Sequence, residues 1–387
     1  MSRFFENPSS AANNRNRCLS DKKLFLLAFL FAFVFGPTTY ALTVDDISLP
    51  DGFEIQMFAD NVPNARQIAV GPGGVIFVGS REAGNVYRLH DLDGDFVVDK
   101  TEVFAGGLYM PSGVAYRDGK LYVAEVNKIT MFAAPLSAKV ADSEPEIVYK
   151  ALPSDGHHGW KAIDFGPDNN LYVPVGAPCN VCEVAFPYGS ILQIDLDKNA
   201  VTVYASGVRN SVGFAWHPRT KKLWFSDNGR DWMGDDVPGC EINRVDRPGQ
   251  HFGFPYVHAD GIADDGFKLP PGIEVSYPAK VLGAHVAPLG LLFYEGEQFP
   301  AEYKDRLFVA HHGSWNRTRK SGYDLMMATI DASGEVTHYE TFASGWRKGE
   351  AHWGRPVDIA MLADGSILVS DDHAGAIYRI FYSGLPE

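Results

Sequence analysis

The segment 67–80, QIAVGPGGVIFVGS, contains two short apolar runs on either side of a tight glycine- and proline-containing turn. Apolar runs bounded by turn residues are typical of paired β-strands with at least one buried face. The same arrangement returns five times along the chain and therefore defines a repeated unit. The other copies are GVAYRDGKLYVAEV (113–126), AIDFGPDNNLYVPVG (162–176), GFAWHPRTKKLWFSDNG (213–229), GLLFYEGEQFPAEYKDRLFVAHHG (290–313) and DIAMLADGSILVSDD (358–372).

Most of these units continue into a third apolar strand, such as NVYRL (85–89) or SILQIDL (190–196), and several into a fourth, such as TVYASG (202–207). Six units of about four strands predict an all-β fold, a six-bladed β-propeller with four-stranded antiparallel blades. A pair of β-sandwiches is the alternative architecture.

The last unit ends at AIYRIFY (376–382), and almost no chain remains to supply its fourth strand. The apolar segment FEIQMFA (53–59), before the first unit, has no partner of its own. We expect this N-terminal strand to pair beside 376–382 and close the ring, which leaves no sheet edge open.

The first 41 residues carry the features of a secretory signal peptide. Basic residues precede an apolar run at 24–35, Gly36-Pro37 interrupts the run, and Thr39-Tyr40-Ala41 is an acceptable cleavage site. The prediction is a signal peptide at 1–41, a propeller domain at 42–387 and a periplasmic or secreted protein. Twelve apolar residues are too few for a stable membrane span; an uncleaved N-terminal anchor is the alternative.

The chain is acidic, with a formal net charge of -14. Removal of residues 1–41 takes away five basic and two acidic residues, which leaves a charge of -17. So acidic a surface argues against nucleic acid or anionic membrane as a partner. It suits a protein that acts on neutral or cationic small molecules.

Three cysteines, Cys179, Cys182 and Cys240, remain after residues 1–41 are removed. Export permits a disulfide, either between Cys179 and Cys182 or from one of them to Cys240. The CNVC segment is not a haem attachment motif because Glu183 stands where that motif requires histidine. We expect Cys179 and Cys182 to lie at the channel mouth with a structural role.

Polar residues are concentrated on one predicted face of the propeller. We letter the strands of each blade A to D from the channel outward; because strands alternate in direction, the D-to-A and B-to-C loops lie on one face. A lone loop histidine usually only makes hydrogen bonds, and Arg209-Asn210 could merely cap a turn. Convergence on one face favours a functional site. These loops hold Arg81-Glu82, His157-His158-Gly159-Trp160, Cys179–Cys182, Arg209-Asn210, Asp227–Asp231, His285, His311–Trp315, His352–Arg355 and Asp371–His373.

At these loops the chain resembles the soluble PQQ-dependent glucose/sorbosone dehydrogenases, a family of six-bladed propellers. The resemblance extends from about residue 50 to the end. It departs from the glucose enzymes at the CNVC loop and where those enzymes carry a PQQ-contacting lysine. The segments that carry it are SDGHHGWKAIDFGPDNNLYVPVG (154–176), GVRNSVGFAWHP (207–218), LWFSDNGRD (223–231), EINRV (241–245), HFGFP (251–255), LFVAHHGSWNR (307–317) and GRPVDIA (354–360).

The resemblance implies an oxidoreductase that uses PQQ and Ca²⁺ to oxidise a sugar or related alcohol and passes electrons to an unidentified acceptor. Histidine is suited to accept a hydroxyl proton, arginines to bind the PQQ carboxylates, and carbonyl oxygens to bind calcium. The implied residues are His158 as general base with His157 as its neighbour; Arg209, Asn210, Arg355, Arg317 and either His311 or His312 for the cofactor; and the backbone carbonyls of Gly229 and Arg230 for the metal.

A second calcium candidate lies in the C-to-D connection of the first unit, on the face away from the channel mouth. Asp91, Asp93, Asp95 and Asp99 alternate with other residues around Gly94, as in turns that wrap a hard cation. An ordinary acidic turn is the alternative.

Two other functions are compatible with the fold. A calcium-dependent lactonase could place Glu82, Asn127, Asn210 and Asp227 around a central metal. A non-catalytic binding propeller is the other possibility, because a fold does not fix a function.

Overall fold

The computed structural model describes residues 43–133 and 144–384. The predicted signal peptide at 1–41 lies outside the described residues. Within them, the helices are three single 3-10 turns, Val44–Asp46, Pro72–Gly74 and Ala301–Tyr303. No helix in these two stretches is long and apolar enough to cross a membrane.

Six four-stranded antiparallel blades arranged in a ring form a β-propeller, which confirms the predicted fold class. The N-terminal strand is β1 (Phe53–Ala59). The first three blades contain β2 (Ala65–Val70), β3 (Ile76–Ser80), β4 (Val86–His90) and β5 (Lys100–Ala105); β6 (Gly113–Arg117), β7 (Lys120–Ala124), β8 (Ile129–Ala133) and β9 (Glu146–Tyr149); and β10 (Asp164–Phe165), β11 (Leu171–Val175), β12 (Ser190–Asp195) and β13 (Ala200–Ser206).

Short additional strands lie within the fourth blade and before the sixth. The fourth blade contains β14 (Phe214–Trp216), β15 (Leu223–Asp227), β16 (Gly239–Arg244), the inserted strands β17 (Gln250–His251), β18 (Val257–His258) and β19 (Ile262–Ala263), and the outer strand β20 (Lys280–Ala284). The fifth blade contains β21 (Pro288–Phe293), β22 (Leu307–His311), β23 (Asp324–Ile330) and β24 (Val336–Ser344), and a hairpin of β25 (Arg347–Lys348) and β26 (Ala351–His352) follows it. The sixth contains β27 (Pro356–Met361), β28 (Ile367–Asp371) and β29 (Ala376–Tyr382).

The N-terminal strand closes the ring, as the sequence predicts. β1 pairs antiparallel with β29, with Phe53 opposite Tyr382 and Met57 opposite Tyr378. Phe53 is buried, and its ring lies 4.7 Å from that of Phe299 and 5.1 Å from that of Phe342. The sixth blade therefore joins the start of the chain to its end and is anchored on the fifth.

The hydrophobic core lies between the faces of neighbouring blades. In β15, Trp224 packs in the cluster toward the fifth blade, with Phe293 and Leu307. The next residue, Phe225, packs in the cluster toward the third blade, with Tyr172. Because both faces of a blade are covered, its strands have nearly continuous apolar sequences instead of alternating ones.

The innermost strands are linked by buried polar side chains. Gln67 on β2 donates to the carbonyl of Ile163 at 2.9 Å and accepts from the backbone N–H groups of Val114 and Ile163. Asp358 on β27 accepts from the N–H of Ile68 at 2.8 Å. These cross-blade bonds support the ends of the strands from which the loops of the predicted site emerge.

Candidate active site

The D-to-A and B-to-C loops enclose a cavity of about 250 Å³. The cavity brings together most of the residues predicted for the site and adds several others. The predicted residues that line it are His157, His158, Arg209, Asn210, Gly229, His312 and Arg355. Those that join them include Arg66, Arg81, Trp160, Asp231, Cys240, His285 and Trp315.

His158 lies in the connection between β9 and β10 and is buried. Its Nδ1 donates to the carbonyl of Ala177 at 2.8 Å, so in the neutral ring Nε2 carries the free lone pair. Burial, followed by the positive charge of Arg209, lowers the pKa of His158 to about 2. The imidazole is therefore neutral at ordinary pH and presents an unprotonated nitrogen.

The backbone around His158 requires its neighbours to be small. His158 itself has a φ of 49°, in the left-handed region. A Cβ at Gly176, on the next loop, would lie 2.6 Å from the His158 Cβ. His157 is exposed, and its ring centroid lies 4.0 Å from that of His158. Of the two adjacent histidines, the structure places the buried and fixed one at 158.

Arg209 and Asn210 are positioned through their backbone. The buried carboxylate of Asp227, at the end of β15, accepts from the Arg209 N–H at 2.8 Å and from the Asn210 N–H at 2.6 Å. Burial raises the pKa of Asp227 to about 6. These two hydrogen bonds make Asp227 a structural support of the D-to-A turn. The side chains of Arg209 and Asn210 therefore extend from a fixed backbone.

The Arg209 guanidinium is held by the loop that the Cys179–Cys182 disulfide closes. Its Nε donates to the carbonyl of Asn180 at 2.8 Å, and one terminal nitrogen donates to Asn180 Oδ1 at 2.9 Å. Asp231 lies 3.3 Å from the same nitrogen and donates its own N–H to Asn180 Oδ1 at 2.8 Å. The CNVC loop therefore fixes Arg209 in the cavity wall.

Asn210 contributes an unpaired polar atom. Its side chain is buried, and Oδ1 has no hydrogen-bond partner among the described residues. A buried amide oxygen without a partner carries an energetic cost of about 1–3 kcal/mol. Such an atom in a cavity wall is available to a bound molecule.

Arg66, His312 and Arg355 form the opposite wall. His312 Nε2 lies 2.8 Å from Asp372 Oδ1, and the other oxygen of Asp372 pairs with Arg66 at 2.9 Å. Arg355 donates to the carbonyls of His312 and Gly313 at 3.1 and 3.0 Å. Burial lowers the pKa of His312 to about 4, so this histidine is also neutral.

Three residues of the predicted set point elsewhere. His311 lies outside the cavity, because its Nδ1 is 2.9 Å from Asp324 and its Nε2 is 2.7 Å from the Tyr339 hydroxyl. Arg317 is bound to the carbonyl of Asp235 at 3.0 Å and lines a neighbouring groove. The Arg230 side chain pairs with Asp264, and only Gly229 of that metal pair lines the cavity. His311 and Arg317, both predicted to contact the cofactor, therefore do not line this cavity.

Cys240 is a free, buried thiol in the cavity wall, so neither disulfide alternative that involved it is present. Burial raises the pKa of the Cys240 thiol. Cys240 and Arg66 lack an assigned role in the sequence analysis, because both lie within strands. The one feature that could have indicated them is their position, because each lies near the end of a strand on the face that carries the polar loops.

The acidic loop between β4 and β5 gathers three of its four predicted residues. Oxygens of Asp91, Asp93 and Asp99 lie within 4.8 Å of one another. Asp95 is outside this group and accepts from the N–H of Val97 at 2.8 Å. Elsewhere in the described ranges, no other group of three histidine, cysteine or acidic side chains meets in this way.

Solved structures with related folds include carbohydrate enzymes. The calcium structure of a Trichoderma reesei enzyme of carbohydrate-active family AA12 superposes with a TM-score of 0.77 at 19% identity, over 90% of this chain and all of that one. The holo PQQ domain of Coprinopsis cinerea pyranose dehydrogenase gives 0.72 at 18% identity, over 87% and 97%. At these identities the likeness establishes the fold.

Sequence comparisons relate the chain to this pyranose dehydrogenase and to one further protein. A segment of 124 residues is 32% identical to the PQQ-dependent pyranose dehydrogenase of Coprinopsis cinerea, over 27% of this chain and 16% of that protein. An uncharacterised protein of Borreliella burgdorferi is 36% identical over 362 residues, which cover 87% of this chain and 91% of the relative. The model of a domain of unknown function, DUF7133, matches residues 40–379. The chain therefore belongs to the DUF7133 family.

Proposed function

We propose that this protein is a PQQ- and calcium-dependent oxidoreductase that oxidises an aldose, or a related sugar or alcohol, to its lactone or acid. The observation that carries the proposal is the composition of the cavity. A chain with a net charge of -14 directs four arginines, Arg66, Arg81, Arg209 and Arg355, into one small cavity beside a neutral histidine.

The residues present fit PQQ, which carries three carboxylates. Arginine binds carboxylates through paired hydrogen bonds. Arg209 and Arg355 both donate to backbone carbonyls, and Arg355 lies over the Tyr323 ring at 5.7 Å. Asn210 adds the unpaired amide oxygen. We assign cofactor binding to Arg209, Asn210, Arg355 and His312, with Arg81 as an addition and without His311 and Arg317.

The groups proposed to bind calcium are backbone carbonyl oxygens and not side chains. We assign its protein ligands to the carbonyl oxygens of Gly229 and Arg230, because calcium prefers oxygen and accepts backbone carbonyls. Gly229 lines the cavity, and a Cβ there would lie 2.8 Å from the Gly239 carbonyl. Only glycine fits at this position without moving the adjacent strand.

The chain's own contribution to the reaction centres on His158. Bound PQQ supplies a quinone that can take up a hydride equivalent from the alcohol carbon. His158 Nε2, kept unprotonated by the Nδ1 bond to Ala177, accepts the hydroxyl proton. Arg209 lowers the pKa of His158 in the protein alone, and anionic carboxylates beside Arg209 would partly offset that effect.

Two of the four residues named for the lactonase alternative are engaged in other contacts. Both carboxylate oxygens of Asp227 accept backbone N–H groups, and Glu82 is exposed and paired with Arg81 at 2.8 Å. A passive binding propeller would not require a buried neutral histidine together with an unpaired amide. The names of the Coprinopsis cinerea relative and of the AA12 enzyme further support a sugar oxidoreductase.

We also propose that the protein is exported, with 1–41 as a signal peptide. The Cys179–Cys182 disulfide supports this location, because such bonds persist in the periplasm and outside the cell. Its partners would then be a small-molecule sugar and an electron acceptor reached in that compartment.

Titration of the protein without cofactor tests the site directly. Calorimetry should show saturable PQQ binding at one site, tightened by Ca²⁺. Arg209→Ala should weaken binding by about 10- to 100-fold, because it removes charge-assisted hydrogen bonds worth about 1.5–3 kcal/mol. Arg219→Ala, on an exposed arginine paired with Asp305, is the matched control and should leave affinity unchanged. Absence of PQQ binding with Ca²⁺ present would overturn the proposal.

A further inference from the structure

Two tryptophans at the cavity mouth are exposed to solvent. Trp232 and Trp315 are 70% and 67% exposed, and their rings meet edge to face with centroids 5.6 Å apart. Adjacent large aromatic side chains left in water usually mark a binding surface. They come from different blades, Trp232 from the loop after β15 and Trp315 from the loop after β22.

The two loops are fixed to each other by hydrogen bonds. Asn316 Nδ2 donates to Asp231 at 3.2 Å, and the Thr318 N–H donates to Asp235 at 3.1 Å. Trp232 has a φ of 71°, a left-handed conformation that a bulky residue rarely adopts. Such a conformation persists only where surrounding contacts enforce it, and it is frequent at functional sites.

The pair borders an open groove that continues from the cavity. Trp315 lines both the cavity and the groove, whereas Trp232 lines the groove and not the cavity. Between them the groove presents Asp235, Arg317 and Thr318. A molecule that extends out of the cavity past Trp315 would therefore meet an aromatic surface flanked by hydrogen-bonding groups.

We propose that this groove binds additional sugar residues of an oligosaccharide whose reacting residue occupies the cavity. The inference rests on the proposed function and extends its substrate class from free monosaccharides to oligosaccharides. A pyranose ring has an apolar C–H face that packs on an indole, while its hydroxyls need donors and acceptors at the edge. The groove supplies both features.

A protein electron acceptor is the competing occupant. A protein interface would be expected to extend over roughly 800 Å² on each partner, with an apolar centre. Here the two indoles line a concave surface together with Arg317, whose half-buried side chain pairs with the exposed Asp236. This mixture of aromatic and charged groups in a concavity favours a sugar.

The test compares substrates of one, two and three sugar residues that share the same oxidised terminal residue. Trp232 lies outside the cavity, so Trp232→Ala should lower kcat/KM for the longer substrates by about 3- to 10-fold and leave the monosaccharide unchanged. Tyr277→Ala, on a tyrosine that is 61% exposed, is the matched control. Calorimetric titration with non-oxidisable oligosaccharides, in which the terminal aldose has been reduced, measures binding independently of turnover.

The possible outcomes are distinct. Equal loss for all chain lengths, or no loss for any, would overturn the groove proposal while leaving sugar oxidation intact. Slower reduction of a protein acceptor by Trp232→Ala, with unchanged sugar kinetics, would assign the pair to the acceptor and also overturn it. If the wild type oxidises no sugar, the proposed function fails, and chain-length-dependent binding that Trp232→Ala abolishes would still support the groove.

Discussion

At the scale of single residues, His158 differs from His157 in burial and in its fixed tautomer. His158 Nδ1 is bound to Ala177, whereas His157 is exposed. His158→Gln should therefore lower kcat by about 10²- to 10⁴-fold while PQQ affinity changes little, because a proton acceptor is lost and no carboxylate contact is. Steady-state kinetics with saturating PQQ and Ca²⁺ measures this effect.

His157→Gln is the matched control for that substitution and should retain near-native turnover. The reverse pattern, with turnover lost only in His157→Gln, would assign the base to the neighbouring residue. Unchanged turnover in both variants would remove the general-base assignment altogether.

The burial of His158 also predicts how kcat/KM falls at acidic pH. Burial and then Arg209 lower the pKa of His158 below its ordinary value of 6.5, and only the neutral ring can accept a proton. Activity that depends on neutral His158 is present above its folded pKa and is lost as the pH falls through that value. We expect kcat/KM to be half-maximal at a pH below 6.5 in the reconstituted enzyme. A midpoint at or above 6.5 would contradict the assignment.

Sequence reasoning at this scale found residues that lie in loops and missed those that lie in strands. His158, chosen by its spacing to the following strand, lies in the loop before β10 and lines the cavity. His311 and His312 could not be separated, because their order alone does not show where β22 ends. His311 is the last residue of that strand and pairs with Asp324, whereas His312 begins the loop. Cys240 and Arg66 gave no local signal, since each lies within a strand.

At the scale of elements, the CNVC loop links the Cys179–Cys182 disulfide to Arg209 in the cavity wall. Asn180, inside the Cys179–Cys182 loop, accepts two hydrogen bonds from Arg209. Replacement of both cysteines by serine should free this loop and raise the Kd for PQQ by about 3- to 10-fold, a loss near that of one hydrogen bond. Calorimetric titration measures the change, and mass spectrometry confirms the state of the disulfide.

A double-mutant cycle separates this effect from general destabilisation. If the loop acts through Arg209, removal of the disulfide in an Arg209→Ala background should weaken PQQ binding no further. Additive losses in the two backgrounds would show that the disulfide acts elsewhere.

The closing strand β1 makes a second prediction at this scale. Phe53 is buried among aromatic rings of the fifth and sixth blades. Phe53→Ala should lower the free energy of unfolding by about 3–5 kcal/mol, because it leaves a cavity where β1 joins the ring. Urea denaturation measures this loss. Tyr277→Ala, at an exposed site, should stay within about 0.5 kcal/mol; an equal loss in both variants would contradict the closure argument.

The elements of the propeller were predictable wherever the repeat is regular. The pairing of 53–59 with 376–382 followed from counting strands and is confirmed. The fourth blade was the exception, because residues 245–279 separate its third strand from β20. Within this insertion β17 pairs with β13 of the third blade, a contact that no local pattern could indicate. The choice of disulfide likewise required distances that sequence does not contain.

At the scale of the whole molecule, the net charge of the chain is negative, whereas the cavity is lined by positively charged arginines. The described surface belongs to an acidic chain, yet arginines face the cavity at the channel mouth. We propose that distant acidic groups favour the approach of neutral sugars over anionic ones, and that the arginines would retain a polyanionic cofactor locally. The propeller forms a rigid ring, and the loops on one face of it carry the residues of the candidate site.

The central claim is that a sugar reduces a quinone held in this cavity. The most direct measurement is an anaerobic titration of the protein reconstituted with PQQ and Ca²⁺, in which absorbance spectra follow the cofactor while an oxidisable sugar is added. We expect conversion of one equivalent of oxidised cofactor per protein, with one equivalent of lactone or acid formed, and a greatly reduced rate in His158→Gln. Bound PQQ whose spectrum stays unchanged through a panel of aldoses and their oligosaccharides would contradict it.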